Sequence, residues 1–222
     1  MRQQSRMQRF EKLWAQVPAL YSHDDPGHDF AHIRRVVETC TKLGAMEGAR
    51  LELLLAAAAL HDVVNVPKNS PDRARASELA AARAAEILPA FEFPPDEIAA
   101  ISTIIIEHSF SLGRKPSSLE SAILQDADRL DAIGAIGVMR CVSTGVKMGA
   151  AFYHPDDPFA ERRAWDDGGF SLDHFFVKLL TLRETMNTPA GRAEAERRSE
   201  FMRGFVRQLA SEIGVAVPAE RL

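Results

Sequence analysis

The chain has 222 residues, 46% hydrophobic and 26% charged, with a formal net charge of −4. That length suffices for one domain with a sizeable core, or for a domain with an extension, at the proportions of a soluble globular protein. The charge balance excludes a nucleic-acid binder held by bulk electrostatics, and no apolar run reaches the length of a membrane span. The polar start MRQQSRMQRFEK lacks the hydrophobic stretch of a signal peptide. Cys40 and Cys141 show neither paired metal spacing nor a disulfide framework. The expectation is a cytoplasmic protein with reduced thiols, no membrane and no nucleic-acid partner.

Hydrophobic periodicity predicts helices near 4–17, 29–44, 50–63, 71–88, 96–109, 118–127, 129–147, 171–184 and 189–213. The second starts beside His28 and His32, four residues apart on one face. The third is the apolar run LELLLAAAAL, which ends on His61-Asp62. Ser70-Pro71 opens the fourth with a hydroxyl cap before a first-position proline, and Thr188-Pro189 opens the last in the same way. Pro89 and Pro94-Pro95 break the chain before the fifth, whose core stripe is Ile101, Ile104, Ile105 and His108. After a break at 113–116, Ser117-Ser118-Leu119-Glu120 matches a capping box for the sixth. Residues 153–169 are rich in Asp, Pro and Gly and read as a long loop or a mobile flap. The pattern predicts an all-α helical bundle in a single domain.

A helix as apolar as 51–60 is buried on most sides, so an imidazole and a carboxylate at its end need partners. A bound cation satisfies both. A hydrolytic metal site needs deprotonated nitrogen and oxygen ligands from separate helices, with positions left open for water and substrate. His32, His61, Asp62 and Asp128 would supply two imidazoles and two carboxylates. This thiolate-free set suits Mn, Fe, Co, Ni, Zn or Mg. Successive helix residues diverge by roughly 100°, so His61 and Asp62 can share an ion only where the helix end permits it. Taken singly, each of these residues has an ordinary alternative: a capping or core histidine, or, for Asp128 near a helix start, a cap.

His32 in HIRRVV, His61-Asp62 in AAAALHDVV and Asp128 in DADRLDAIGAIG together resemble the H…HD…D signature of HD-domain metal-dependent phosphohydrolases. The resemblance covers roughly residues 20–210. It is nearest to a bacterial subgroup without well-defined substrates, marked by HDxxHxxRV, LHDVVNVPK, EHSFS, QDADRLDAIGAIG and DHFxxKLL. It implies one HD domain over 1–222, with a core at about 20–150 and a helical extension at about 151–222. It further implies one or two divalent cations on His32, His61, Asp62 and Asp128. The implied reaction is hydrolysis of a small-molecule phosphate ester, often a nucleotide, through a metal-activated water. Dimerisation through a helix face is common among such proteins, and nothing in this sequence fixes a homodimer.

Several neighbours keep open roles. Asp126, two residues from Asp128, points to a different helix face. Asp131 lies nearly on the face of Asp128, as an acceptor behind a ligand or as an N–H capping acid. Arg129 is a candidate ion-pair partner of Asp126 or Asp131. His28 could orient His32, bind a second ion, contact substrate, or cap the helix start beside Pro26-Gly27. His108 reads either as a hydrogen-bonded core residue or as a functional group, a second-metal ligand or a proton donor to the leaving oxygen. Lys68 and Arg73 in VPKNSPDRARAS, at a helix start, are candidates to offset phosphoryl charge; otherwise they are solvated surface charges. His174 and Lys178 form a second such pair. Two rival readings stand beside hydrolysis: a non-catalytic nucleotide- or ligand-sensing module, and a two-iron oxygenase that would need ligands such as His28 and His108.

Overall fold

Leu51–Leu60 has no polar face, so a surface position would leave an apolar cylinder in water. The computed structural model describes residues 2–21, 30–64, 66, 70–109 and 113–221, and makes this segment helix α3, buried throughout 52–60. Packed on α3 are α1 (Arg2–Gln16), α2 (Phe30–Glu47) and α5 (Pro95–Glu107), while α4 (Ala76–Ile87) lies mainly against α5. Ala56, Ala57, Ala58 and Ala59 are fully buried and admit close backbone approach, and Ile33, Leu54, Leu60, Ile101 and Ile105 fill the space around them. Each such leucine or isoleucine contributes about 1.5–3 kcal/mol relative to exposure. Glu52 on α3 tolerates burial because the Arg9 guanidinium donates to both its carboxylate oxygens, at 2.9 and 3.0 Å.

The later helices are α6 (Leu119–Asp131), α7 (Gly134–Met148), α8 (Ser171–Val177) and α9 (Pro189–Glu212). All regular elements among the described residues are helical, with one isolated bridge between Ala151 and Phe170. The all-α expectation holds. None of these helices is long and apolar enough to cross a membrane. The chain groups into two compact units, Met1–Asp128 and Arg129–Leu222, and the division falls inside α6. In the second unit α7 packs on α9, and Phe175 of α8 stacks on Phe205 of α9 at 5.8 Å. Its long loop is pinned from within. Asp173 is fully buried and accepts from the Arg163 guanidinium at 2.8 Å and from the Asp166 amide at 2.8 Å.

Some boundaries differ from the sequence reading. The junction between α6 and α7 lies at Ala132 and Ile133, not at residue 128. Gly134 adopts φ +78°, and a Cβ on Gly137 would come within 2.3 Å of the Ala132 carbonyl oxygen, so the glycines permit a tight reversal there. Asp128 therefore sits inside a helix rather than near a start. Asp131 is the last residue of α6 and cannot cap amides at its beginning. The segment 71–88 begins as a 3-10 turn, Pro71–Arg75, and 171–184 divides at Lys178 into α8 and a 3-10 stretch, Leu179–Thr185. The capping box does not form as read. Ser118 Oγ accepts from the Ser121 amide at 3.1 Å, and Glu120 turns to Arg50, accepting from its amide at 2.9 Å and its Nε at 3.0 Å. Thr188 caps α9 as expected, accepting from the Gly191 amide at 3.0 Å.

Candidate metal centre

Four segments of the first unit bring their chemistry together. His32 lies in the first turn of α2, His61 follows the last residue of α3, His108 follows the last residue of α5, and Asp128 lies in the last turn of α6. His61 and His108 share one local device. Each turns Nδ1 back onto the carbonyl three residues earlier, His61 on Ala58 at 2.8 Å and His108 on Ile105 at 2.6 Å. A carbonyl only accepts, so each Nδ1 carries a proton, and in the neutral ring Nε2 is left bare for a cation. This is how a metal-binding imidazole is fixed in tautomer and direction.

The Nε2 atoms and carboxylates converge. His32 Nε2 lies 3.4 Å from His61 Nε2, 3.5 Å from Asp128 Oδ1 and 3.9 Å from Asp62 Oδ2. His61 Nε2 lies 3.7 Å from Asp62 Oδ2 and 4.0 Å from Asp128 Oδ1. Ligands about 2.1 Å from a shared ion stand roughly 3.0 Å apart at right angles and 3.4 Å apart at tetrahedral angles. His32, His61 and Asp128 therefore form a group that fits one divalent cation after a small contraction, with Asp62 Oδ2 beside both imidazoles. Asp62 directs its other oxygen elsewhere, with Oδ1 3.7 Å from His108 Nε2, so His61, Asp62 and His108 form a second group that could hold an ion.

Burial is unequal across the site. His32 and His61 are 1% exposed, whereas the Asp62 and Asp128 side chains are 26% and 29% exposed. The imidazoles form the floor and the carboxylates the rim, which leaves the solvent side available to water and substrate. Burial, and then the neighbouring His61, push the His108 imidazole below its usual pKa, so it is neutral at pH 7. Burial, and then Asp128, push the Cys40 thiol well up, so this cysteine offers no thiolate. Tyr21, which has no signature in the sequence, donates its hydroxyl to the Ala59 carbonyl at 2.8 Å, two residues before His61. Its phenol is held well above the usual value, chiefly by burial and then by Asp62, so it stays a donor.

The other candidates are placed as follows. His28 and Lys68 lie outside the described residues, as does the side chain of Arg73, whose backbone is in the turn Pro71–Arg75. Asp126 is fully buried on α6. Asp131 is buried and accepts from Arg140 at 3.0 Å, and Arg129 donates to the Thr185 carbonyl. In the second unit His174 pairs with Asp167 at 3.1 Å, and the Lys178 amide donates to the His174 carbonyl at the end of α8.

The HD domain family model matches residues 29–133. Over 211 residues the chain is 33% identical to the uncharacterized protein YpgQ of Bacillus subtilis (strain 168), covering 93% of this chain and 95% of that protein. The chain belongs to the HD domain family. Solved structures share the fold at similar identity. The crystal structure of Bacillus subtilis YpgQ in complex with ADP superposes with TM-score 0.73 at 30% identity, covering 97% of this chain and 98% of that one. An HD-superfamily hydrolase from Bacillus thuringiensis gives TM-score 0.75 at 31% identity, covering 95% and 100%.

Proposed function

We propose that this HD protein is a metal-dependent phosphohydrolase that cleaves a phosphate ester of a nucleotide. The observation that carries the reading is the meeting of His32, His61, Asp62 and Asp128, the two Nε2 atoms 3.4 Å apart and each carboxylate 3.5–4.0 Å from both, imidazoles inward and carboxylates toward solvent. These four side chains would hold the cation, one of Mn, Fe, Co, Ni, Zn or Mg. When bound, it supplies Lewis acidity toward a phosphoryl oxygen and a water acidified toward neutral pH.

The chain's own groups do the rest. Asp62 Oδ1, on the rim, accepts a hydrogen bond from the attacking water and orients it. His108 is neutral with Nε2 bare, so it takes a proton from that water more readily than it gives one to a leaving oxygen. Lys68 and Arg73 are proposed, on sequence grounds, to offset negative charge on the phosphoryl oxygens. ADP bound to Bacillus subtilis YpgQ supports a nucleotide as the substrate class.

The test is chelator-stripped protein reloaded with each cation in turn. It is assayed against p-nitrophenyl phosphate, nucleoside mono-, di- and triphosphates, and cyclic nucleotides. Metal-dependent hydrolysis of a nucleotide, lost on His61→Ala, supports the proposal. Nucleotide binding without turnover under every metal contradicts it in favour of a sensing module, and oxygen consumption by the iron-loaded protein contradicts it in favour of an oxygenase.

A further inference from the structure

We infer that Tyr21 is a positioning residue of the metal centre: its hydroxyl fixes the end of α3 so that the consecutive residues His61 and Asp62 face one ion. The inference rests on the metal-site reading above. In a regular helix neighbouring side chains diverge by roughly 100°, which would carry one of the pair away from the other's ligand. The end of α3 is not regular. The Val63 amide bonds the Leu60 carbonyl at 3.2 Å, three residues back, instead of Ala59, four back. Ala59 then accepts from Tyr21 at 2.8 Å, and Ala58 accepts from His61 Nδ1 at 2.8 Å. Two carbonyls of the last helical turn are thus supplied by side chains. One hydroxyl accordingly ties the last turn of α3, two residues before the ligand His61, to Tyr21.

Tyr21 is itself well anchored. It follows the 3-10 turn Val17–Leu20 in extended conformation, is 7% exposed, and lies four residues after the fully buried Val17. Its ring is a core side chain irrespective of the hydroxyl. Tyr21→Phe keeps the ring and removes only the oxygen that bonds the Ala59 carbonyl.

The experiment compares wild type, Tyr21→Phe and His61→Ala, all stripped of metal. Mn2+ affinity is measured by titration calorimetry, the metal-free melting temperature is recorded, and kcat and KM are measured on the substrate that the wild type turns over. The expected result for Tyr21→Phe is a metal-free Tm within about 4 °C of wild type and Mn2+ bound about 10–100-fold more weakly. At saturating Mn2+, kcat falls while KM is unchanged. Wild-type Mn2+ affinity in Tyr21→Phe, with metal lost in His61→Ala, overturns the inference while leaving the metal centre standing. A lowered metal-free Tm with unchanged Mn2+ affinity overturns it equally, since that is a purely structural role. Wild-type Mn2+ binding by His61→Ala overturns the metal centre and the inference together.

Discussion

The Nε2 atoms of His32 and His61 face each other at 3.4 Å, although 29 residues of chain separate them and both rings are 1% exposed. The proton on His61 Nδ1 is committed to Ala58, so in the neutral ring it is Nε2 that brings a lone pair to this meeting point. Asp62 and Asp128 each bring a carboxylate within 4.0 Å. Acceptors gathered this closely require a positive charge among them.

His61→Ala and Asp62→Ala each remove one of those donors. Partners behind a metal ligand commonly change affinity by about 10–100-fold, so loss of a ligand itself should exceed about 100-fold. Both variants are expected to elute metal-free in elemental analysis and to lose turnover, with far-ultraviolet circular dichroism unchanged. Full metal-dependent activity in either variant would falsify the ligand assignment.

Gly137→Ala tests the junction between α6 and α7. The added methyl would lie 2.3 Å from the Ala132 carbonyl oxygen, which is backbone and cannot swing away. A loss of about 1–3 kcal/mol is expected from urea unfolding. A variant of unchanged midpoint would mean that the reversal is looser than described.

What was legible in the sequence followed from local pattern. The apolar run of α3 and the proline-led cap of Thr188 each declare themselves within a few residues, and the ordered phrases around His32, His61-Asp62 and Asp128 pointed to one site. Long-range contacts were not legible. Glu120 looks like half of a capping box until Arg50, 70 residues away, claims its carboxylate. The boundary between α6 and α7 depends on the positive φ of Gly134 and the close approach at Gly137, neither of which alters the hydrophobic period. Tyr21 gives no periodic or motif signal, because its role arises only where its hydroxyl meets the end of another helix.

Asp173→Ala should destabilise the second unit. The Arg163 guanidinium and the Asp166 amide would each lose an acceptor, and leaving buried donors unmet costs about 1–3 kcal/mol. The loop at 153–169 is expected to become the first site of limited proteolysis. Wild-type protease resistance would show that the ion pair does not hold it.

Glu194 accepts from Arg197 at 2.8 Å and from Arg198 at 2.7 Å, and these bonds, Arg197 first, hold its carboxyl down to about 2 from an ordinary 4.5. A carboxyl depressed on folding contributes stability above its unfolded pKa and loses it as pH falls toward the folded value. Solvent screening limits the contribution to about 0.2–1 kcal/mol. The Tm difference between wild type and Glu194→Gln is therefore expected to be constant above pH 5 and to shrink between pH 4.5 and 2. A difference that grows on acidification would refute the pairing.

The claim that chain segments distant in sequence converge on one divalent ion is tested most directly by anomalous diffraction from crystals grown with Mn2+. The account predicts an anomalous peak about 2.0–2.3 Å from His32 Nε2, from His61 Nε2 and from one oxygen each of Asp62 and Asp128. A crystal saturated with Mn2+ that shows no peak there, or a peak that His32 or Asp128 does not touch, contradicts it.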